Sequence, residues 1–235
     1  MARSLGEAYA VSHLSAVATL GLPVVTSDIG RVHVSHVGQG KSRQDRRLRV
    51  HPPVSAADVT IRGGVLVVNP SLAVLQTASY AGLRAGLIAA DAALARALVT
   101  AGDLVSALAL SGLAGEAARA VEMANGLAES PGESWSRLVF AGLGMPTPEQ
   151  QVEIRDASGR LVGRVDFLFR AQRTIVEFDG RIKYEGADGR DALFREKRRE
   201  DALRSLGYQV VRLTWRDLRD PALVERLIKE AFSRS

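Results

Sequence analysis

The two segments LVGRVDFLF (161–169) and RTIVEFDG (173–180) constrain this chain more than any other feature. Both are rich in β-branched and aromatic residues, and only a short polar link separates them, which predicts a pair of neighbouring strands. Each nonetheless carries acid within its apolar run: Asp166 in the first, Glu177 and Asp179 in the second. A carboxylate in a buried strand is costly unless a cation or donor meets it. Side chains alternate between the faces of a strand. Alternation places Val165, Phe167 and Phe169 on one face, and Arg164, Asp166 and Leu168 on the other. In the second strand Val176 and Phe178 take one face, with Ile175, Glu177 and Asp179 opposite. Pairing of the two strands would then bring Asp166 to Glu177. Two carboxylates that close repel unless a proton or cation lies between them, and an all-oxygen donor set suits Mg²⁺ or Mn²⁺. Such an ion supplies charge stabilisation at a phosphate and an activated water. The plainer alternative is a structural polar network in which arginines such as Arg164, Arg181 or Arg212 neutralise the acids.

The stretch GLAESPGES (126–134) ends one helical pattern and starts another, dividing the chain into expected domains 1–127 and 128–235. The second part reads helix–strand–strand–strand–helix–strand–helix: a helix over 131–144 with Pro131 in its first turn, strands over 150–156, 161–169 and 173–180, a charged helix over 192–207, a strand over 208–215 and a closing amphipathic helix over 220–232. The first part is Ala/Leu/Val-rich. It is expected to hold a helix over 4–21 capped by Ser4, short strands over 31–37, 47–54 and 59–69 with a hairpin at Gly63–Gly64, and helices over 71–82, 84–100 and 103–123. The fold class is therefore α/β (α+β), with an α-β-β-β-α-β core behind a mixed helix and short-strand domain.

SPGESWSR, GRVDFLF, VEFDGRIKY and EKRREDALRSLGYQVVRLTW, across about residues 130–218, resemble the PD-(D/E)XK restriction-endonuclease-like fold, and within it the very-short-patch-repair-like branch. The resemblance implies a Mg²⁺-dependent (or Mn²⁺-dependent) deoxyribonuclease. It matches Asp166 and Glu177 to the family's metal-binding acids, Glu133 to the helix acid that supports them, and Asp179 to the branch's added acid. The wider fold expects lysine where this chain has Asp179; Lys183, or Lys197 on the following helix, is the expected substitute, polarising water or phosphate. SHLSAVATLGLPV and VNPSLAVLQTASYAGLRAGLIAADAALARA resemble the middle domain of AbiEi-type antitoxins of toxin–antitoxin systems. That likeness implies a positioning or partner-binding domain, here without the winged helix that precedes it in such proteins.

Charge adds a nucleic-acid reading. The net charge is +5, compatible with an anionic partner. Lys41, Arg43, Arg46 and Arg47 crowd a predicted loop, and Arg195, Lys197 and Arg198 lie on the charged helix; both groups are candidates for contact with a DNA backbone, or solvated faces laced with ion pairs. The chain has no cysteine, which excludes disulfides and thiolate metal sites. His13, His33, His36 and His51 match no zinc spacing and are expected on the surface. Trp135 and Trp215 are expected in the core. With neither a membrane-span pattern nor a signal-peptide pattern, the expected setting is the cytoplasm and the expected partner DNA. Two rivals to the nuclease remain: a non-catalytic DNA-binding regulator or antitoxin, and a protein that binds a toxin through its Ala-rich helices.

Overall fold

The computed structural model describes residues 8–26, 28, 30–180 and 188–234, with side chains for all of these but 188–193. The chain divides into two compact units between Pro131 and Gly132, a few residues beyond the expected break.

The first unit contains β1 (Tyr9–Val11), α1 (His13–Thr19), β2 (Val32–Val37), β3 (Arg43–Gln44), β4 (Leu48–Val54), β5 (Val59–Arg62), β6 (Val65–Val68), α2 (Pro70–Ala81), α3 (Leu83–Ala95), α4 (Ala101–Ser111) and α5 (Glu116–Met123). Its strands form one mixed sheet in the order β3-β4-β2-β1-β6-β5. β5 and β6 are the expected hairpin, with Gly63 and Gly64 both in the left-handed region that such a turn requires. Local chemistry sets the helix starts. Asn69 caps α2 through Leu72 N–H, with Pro70 in the first turn, and Thr100 and Asp103 cap α4 reciprocally. α2 and α3 approach so closely that Gly86 lies against Ala78; a Cβ there would fall 2.2 Å from the alanine Cβ. The core beneath is built from small residues and valines, including Ala73, Val74, Ala89, Ala90 and Val67.

Two expectations for this unit are corrected. The helix expected over 4–21 is instead strand β1 followed by α1, with Ser4 outside the described residues; Tyr9–Val11 finds ladder partners on both sides, in β2 and β6, which a local reading does not see. The helix expected over 103–123 is two helices, broken by left-handed Gly112 and Gly115. The histidines are also misplaced by sequence: His13, His33 and His51 are buried, not at the surface.

The second unit contains α6 (Pro131–Gly142), β7 (Glu149–Arg155), β8 (Leu161–Phe169), β9 (Thr174–Phe178), α7 (Asp188–Ser205), β10 (Gln209–Leu213) and α8 (Pro221–Phe232). The element order is α-β-β-β-α-β-α, as expected. The sheet runs β10-β9-β8-β7, with β9 and β10 parallel and the other pairs antiparallel. One face packs Phe140, Phe167, Phe169, Val176 and Leu213 beneath Val224 and Ile228 of α8. The other packs Ile154, Val165, Leu168 and Ile175 against Leu203 of α7. Trp135 and Trp215 are half-buried at the rim of the first face, 6.0 Å apart between centroids, with Phe178 edge-on to Trp215.

Candidate functional site

β8 and β9 pair through Phe167↔Val176, Leu168↔Ile175 and Phe169↔Thr174. One further step of that register sets Asp166 opposite Glu177. There the main-chain ladder gives way: Asp166 Oδ2 accepts from Phe178 N–H at 2.8 Å, so a carboxylate stands where a strand carbonyl would otherwise accept. The strand changes face at the same residue. Val165 was expected beside Phe167 and Phe169 but packs in the opposite cluster with Leu168 and Ile175. Gln151 of β7, opposite Asp166 in the flanking register, has φ +54°, a conformation costly for a residue with a side chain. Two adjacent irregularities at one level of the sheet open it around Asp166.

Glu133 reaches this level from α6. It is 7% exposed and accepts from Gln151 Nε2 at 2.9 Å. Its neighbour Gly132 sits on the Phe178 ring; a Cβ at 132 would fall 1.9 Å from Phe178 Cε1. Only glycine lets the start of α6 descend this far, and that descent carries Glu133 to the end of β9. Asp179 follows on the same strand end, where its N–H bonds Leu213 O of β10.

Glu177 is differently placed. It is 9% exposed and faces α7, where Arg199 Nη2 lies 2.5 Å from its Oε1 and Arg212 Nη2 lies 3.7 Å from its Oε2. Burial pushes its carboxyl above the ordinary range; the bond and charge of Arg199 and the charge of Arg212 pull the other way without cancelling it. Burial works against the charge on Arg199, but hydrogen bonds to Glu196 and Glu177 more than offset it, and its proton is held more tightly than usual. Arg212 also bonds Glu196 and Glu200. Arg199 crosses β8 over Gly163, where an added Cβ would come within 3.1 Å of its Cδ. The arginine network expected as the plainer reading is therefore present around Glu177, through Arg212 as anticipated and through Arg199, which was not. The signal for Arg199 was the spacing Glu196–Arg199–Glu200, one face of a helix carrying two acids and a base.

Among the described residues, no group of three or more histidine, aspartate or glutamate side chains stands ready to hold a metal. Asp166, Glu177 and Glu133, the expected metal set, converge on one end of the sheet but do not form such a group. The donor chemistry fits a hard divalent cation; the obstacle is Arg199, which already neutralises Glu177. Lys183 lies outside the described residues. Lys41, Arg43, Arg46 and Arg47 are exposed on the first unit. Arg195, Lys197 and Arg198 are exposed on α7, with Arg198 over the Phe194 ring.

No family model matches the chain, and no solved structure matches it. Two curated mycobacterial proteins are similar to it over 96 residues at 35% identity: the uncharacterized protein Rv2248 of Mycobacterium tuberculosis strain H37Rv and the uncharacterized protein MT2308 of strain CDC 1551. The aligned stretch is 41% of this chain and 34% of each relative, so the chain spans about a third of the length of the curated relatives it matches.

Proposed function

We propose that the second unit is a metal-dependent nuclease-type hydrolase acting on DNA phosphodiesters, and that the first unit positions it or engages a partner protein. The observation that supports this is the opened strand end: Asp166 takes over a main-chain bond at the level of Glu177, and Glu133 accepts from Gln151 at the same level, an expensive arrangement for a sheet that has only itself to hold together. In this reading Asp166, Glu177 and Glu133 would hold Mg²⁺ or Mn²⁺, which supplies Lewis-acid stabilisation of the phosphate and an activated water. Asp179 supports them by fixing the strand end against β10. Lys183 and the exposed cations of α7 would meet the DNA backbone.

The contact of Arg199 with Glu177 favours a second reading, in which the nuclease-type unit is a DNA-binding regulator or antitoxin without chemistry. Cleavage of plasmid, single-stranded and mismatched DNA with Mg²⁺ or Mn²⁺ separates the two. The hydrolase requires that Asp166→Ala and Glu177→Ala each lose activity by roughly a hundredfold or more, the scale of removing a principal charge-stabilising group. Equal cleavage by all three proteins, or none by the wild type together with no Mn²⁺ bound at millimolar concentration, leaves the regulator.

A further inference from the structure

The first unit contains a polar cluster that the nuclease reading does not use. Three of the four histidines converge from three elements: His13 at the start of α1, His33 on β2 and His51 on β4. His13 and His51 stack at 3.4 Å between centroids, and His33 Nδ1 lies 2.8 Å from His51 Nε2. Tyr80 of α2 stands edge-on to all three rings. Both His13 and His51 line a cavity of about 450 Å³, together with Gln76, Tyr80 and Asp58.

The cluster holds its members in fixed roles. Ser35 donates to Ser12 Oγ, which lies 3.0 Å from His13 Nδ1. With Ser12 donating its proton to Nδ1, His13 carries its own ring proton on Nε2. Gln76 Oε1 accepts from the His13 main-chain N–H, which commits the other end of that amide, its NH₂, as a donor. His13 itself is held at φ +50°. A non-glycine residue in that region, at a site built of buried polar groups, is strain concentrated at one place. Past His51, His33 Nε2 has no hydrogen-bond partner among the described residues and lies 4.0 Å from Asp28 Oδ2, which also accepts from Tyr80. Arg49 lies over the Tyr80 ring and bonds its hydroxyl. Pro52, Pro53, Leu72 and Leu113 give the cavity apolar lining as well.

We propose that this cavity is a binding site for a small ligand with an oxyanion head and an apolar body, the head received by His13 Nε2–H and the Gln76 amide, the body by the proline and leucine wall. Asp58 also lines the cavity and would repel an anionic head, favouring its binding on the His13 and Gln76 donors. Burial above all, and then the neighbouring His33 and Arg49, oppose protonation of His13 and His51, with His51 adding to the effect on His13. The head is therefore met by neutral N–H donors, and binding takes up no proton between pH 6 and 7.5. The charged groups facing the cluster are Asp28, Arg31, Arg49 and Asp58, with Tyr80 beside them.

The test uses the full chain, with sulfate and benzoate as probes, followed through ¹⁵N-edited ring signals of the four histidines. Saturable shifts are expected at His13 and His51 but not at His36, with affinity unchanged within about twofold between pH 6 and 7.5. Gln76→Glu still accepts from His13 N–H but places negative charge in the cavity, and is expected to abolish binding without unfolding the protein; His13→Gln is expected to weaken it by roughly tenfold or more. Tighter sulfate binding identifies a phosphoryl-type head, and tighter benzoate binding a carboxylate. Linear shifts for both probes, shifts of His36 equal to those of His13, or unchanged binding by folded Gln76→Glu overturn the proposal.

Discussion

Asp166 and Gly132 show how single residues determine the end of the second sheet. Asp166 has a structural duty, accepting from Phe178 N–H, apart from any role toward a metal. The two can be separated by shape. Asp166→Asn keeps an acceptor oxygen and is expected to stay within about 1 kcal/mol of wild-type stability, whereas Asp166→Ala strands a donor and costs about 1–3 kcal/mol; urea unfolding of both variants checks this. If the acid also serves chemistry, Asn and Ala are equally inactive despite their different stabilities. Gly132→Ala drives a methyl into the Phe178 ring. It is expected to destabilise the protein by about 1–3 kcal/mol in urea unfolding and to lift Glu133 away from Gln151; if the proposed hydrolase holds, cleavage is lost with Asp166 and Glu177 intact.

At the scale of elements, α7 is tied to the sheet by charge as much as by Leu203. Arg199→Ala leaves Glu177 buried with only the more distant Arg212, and is expected to cost about 3 kcal/mol. Adding Glu177→Gln should recover part of that loss, a coupling that a double-mutant cycle in urea measures. Millimolar Mn²⁺ should restore stability to the Arg199→Ala protein if the acids accept an ion, and leave it unchanged if they do not. The strands themselves were legible. β8 spans Leu161–Phe169, as its apolar run implied, because its second half is buried on both faces and only Arg164 and Asp166 interrupt the run. What alternation could not show is that the strand turns over at Asp166, since a face change depends on Gln151 across the sheet. The partner of Glu177 was hidden for the same reason: Arg199 meets it only after the chain has traversed a helix. β1 was read as helix because Tyr9–Val11 is too short to display a period of two.

At the scale of the whole molecule, the buried histidines give the two units different responses to acid. His13 is lowered to about 2 and His51 to about 4, both mainly by burial, from an ordinary value of 6.5. The unfolded chain takes up these protons below pH 6.5 and the folded chain does not. The stability held above pH 6.5 is therefore lost as pH falls toward 4, by about 1.4 kcal/mol per unit for each histidine. Between pH 7.5 and 5.5 the two together should cost about 3 kcal/mol, read as a fall in the urea midpoint of the first unit; replacing both with glutamine should flatten that slope. That four histidines lie in the first quarter of the chain was plain from sequence. That three of them meet was not, because the strands bearing His33 and His51 are parallel neighbours separated by β3.

The three residues of β1 stand mid-sheet, antiparallel to β2 and joined to β6 by the single pair Val11↔Val67. During synthesis its second neighbour, β6, follows this strip by more than fifty residues. Until then the two halves of the sheet have no common seam. Trimming the start of the chain past Tyr9 would leave that seam open for good, exposing two raw strand margins to whatever other polypeptide is nearby.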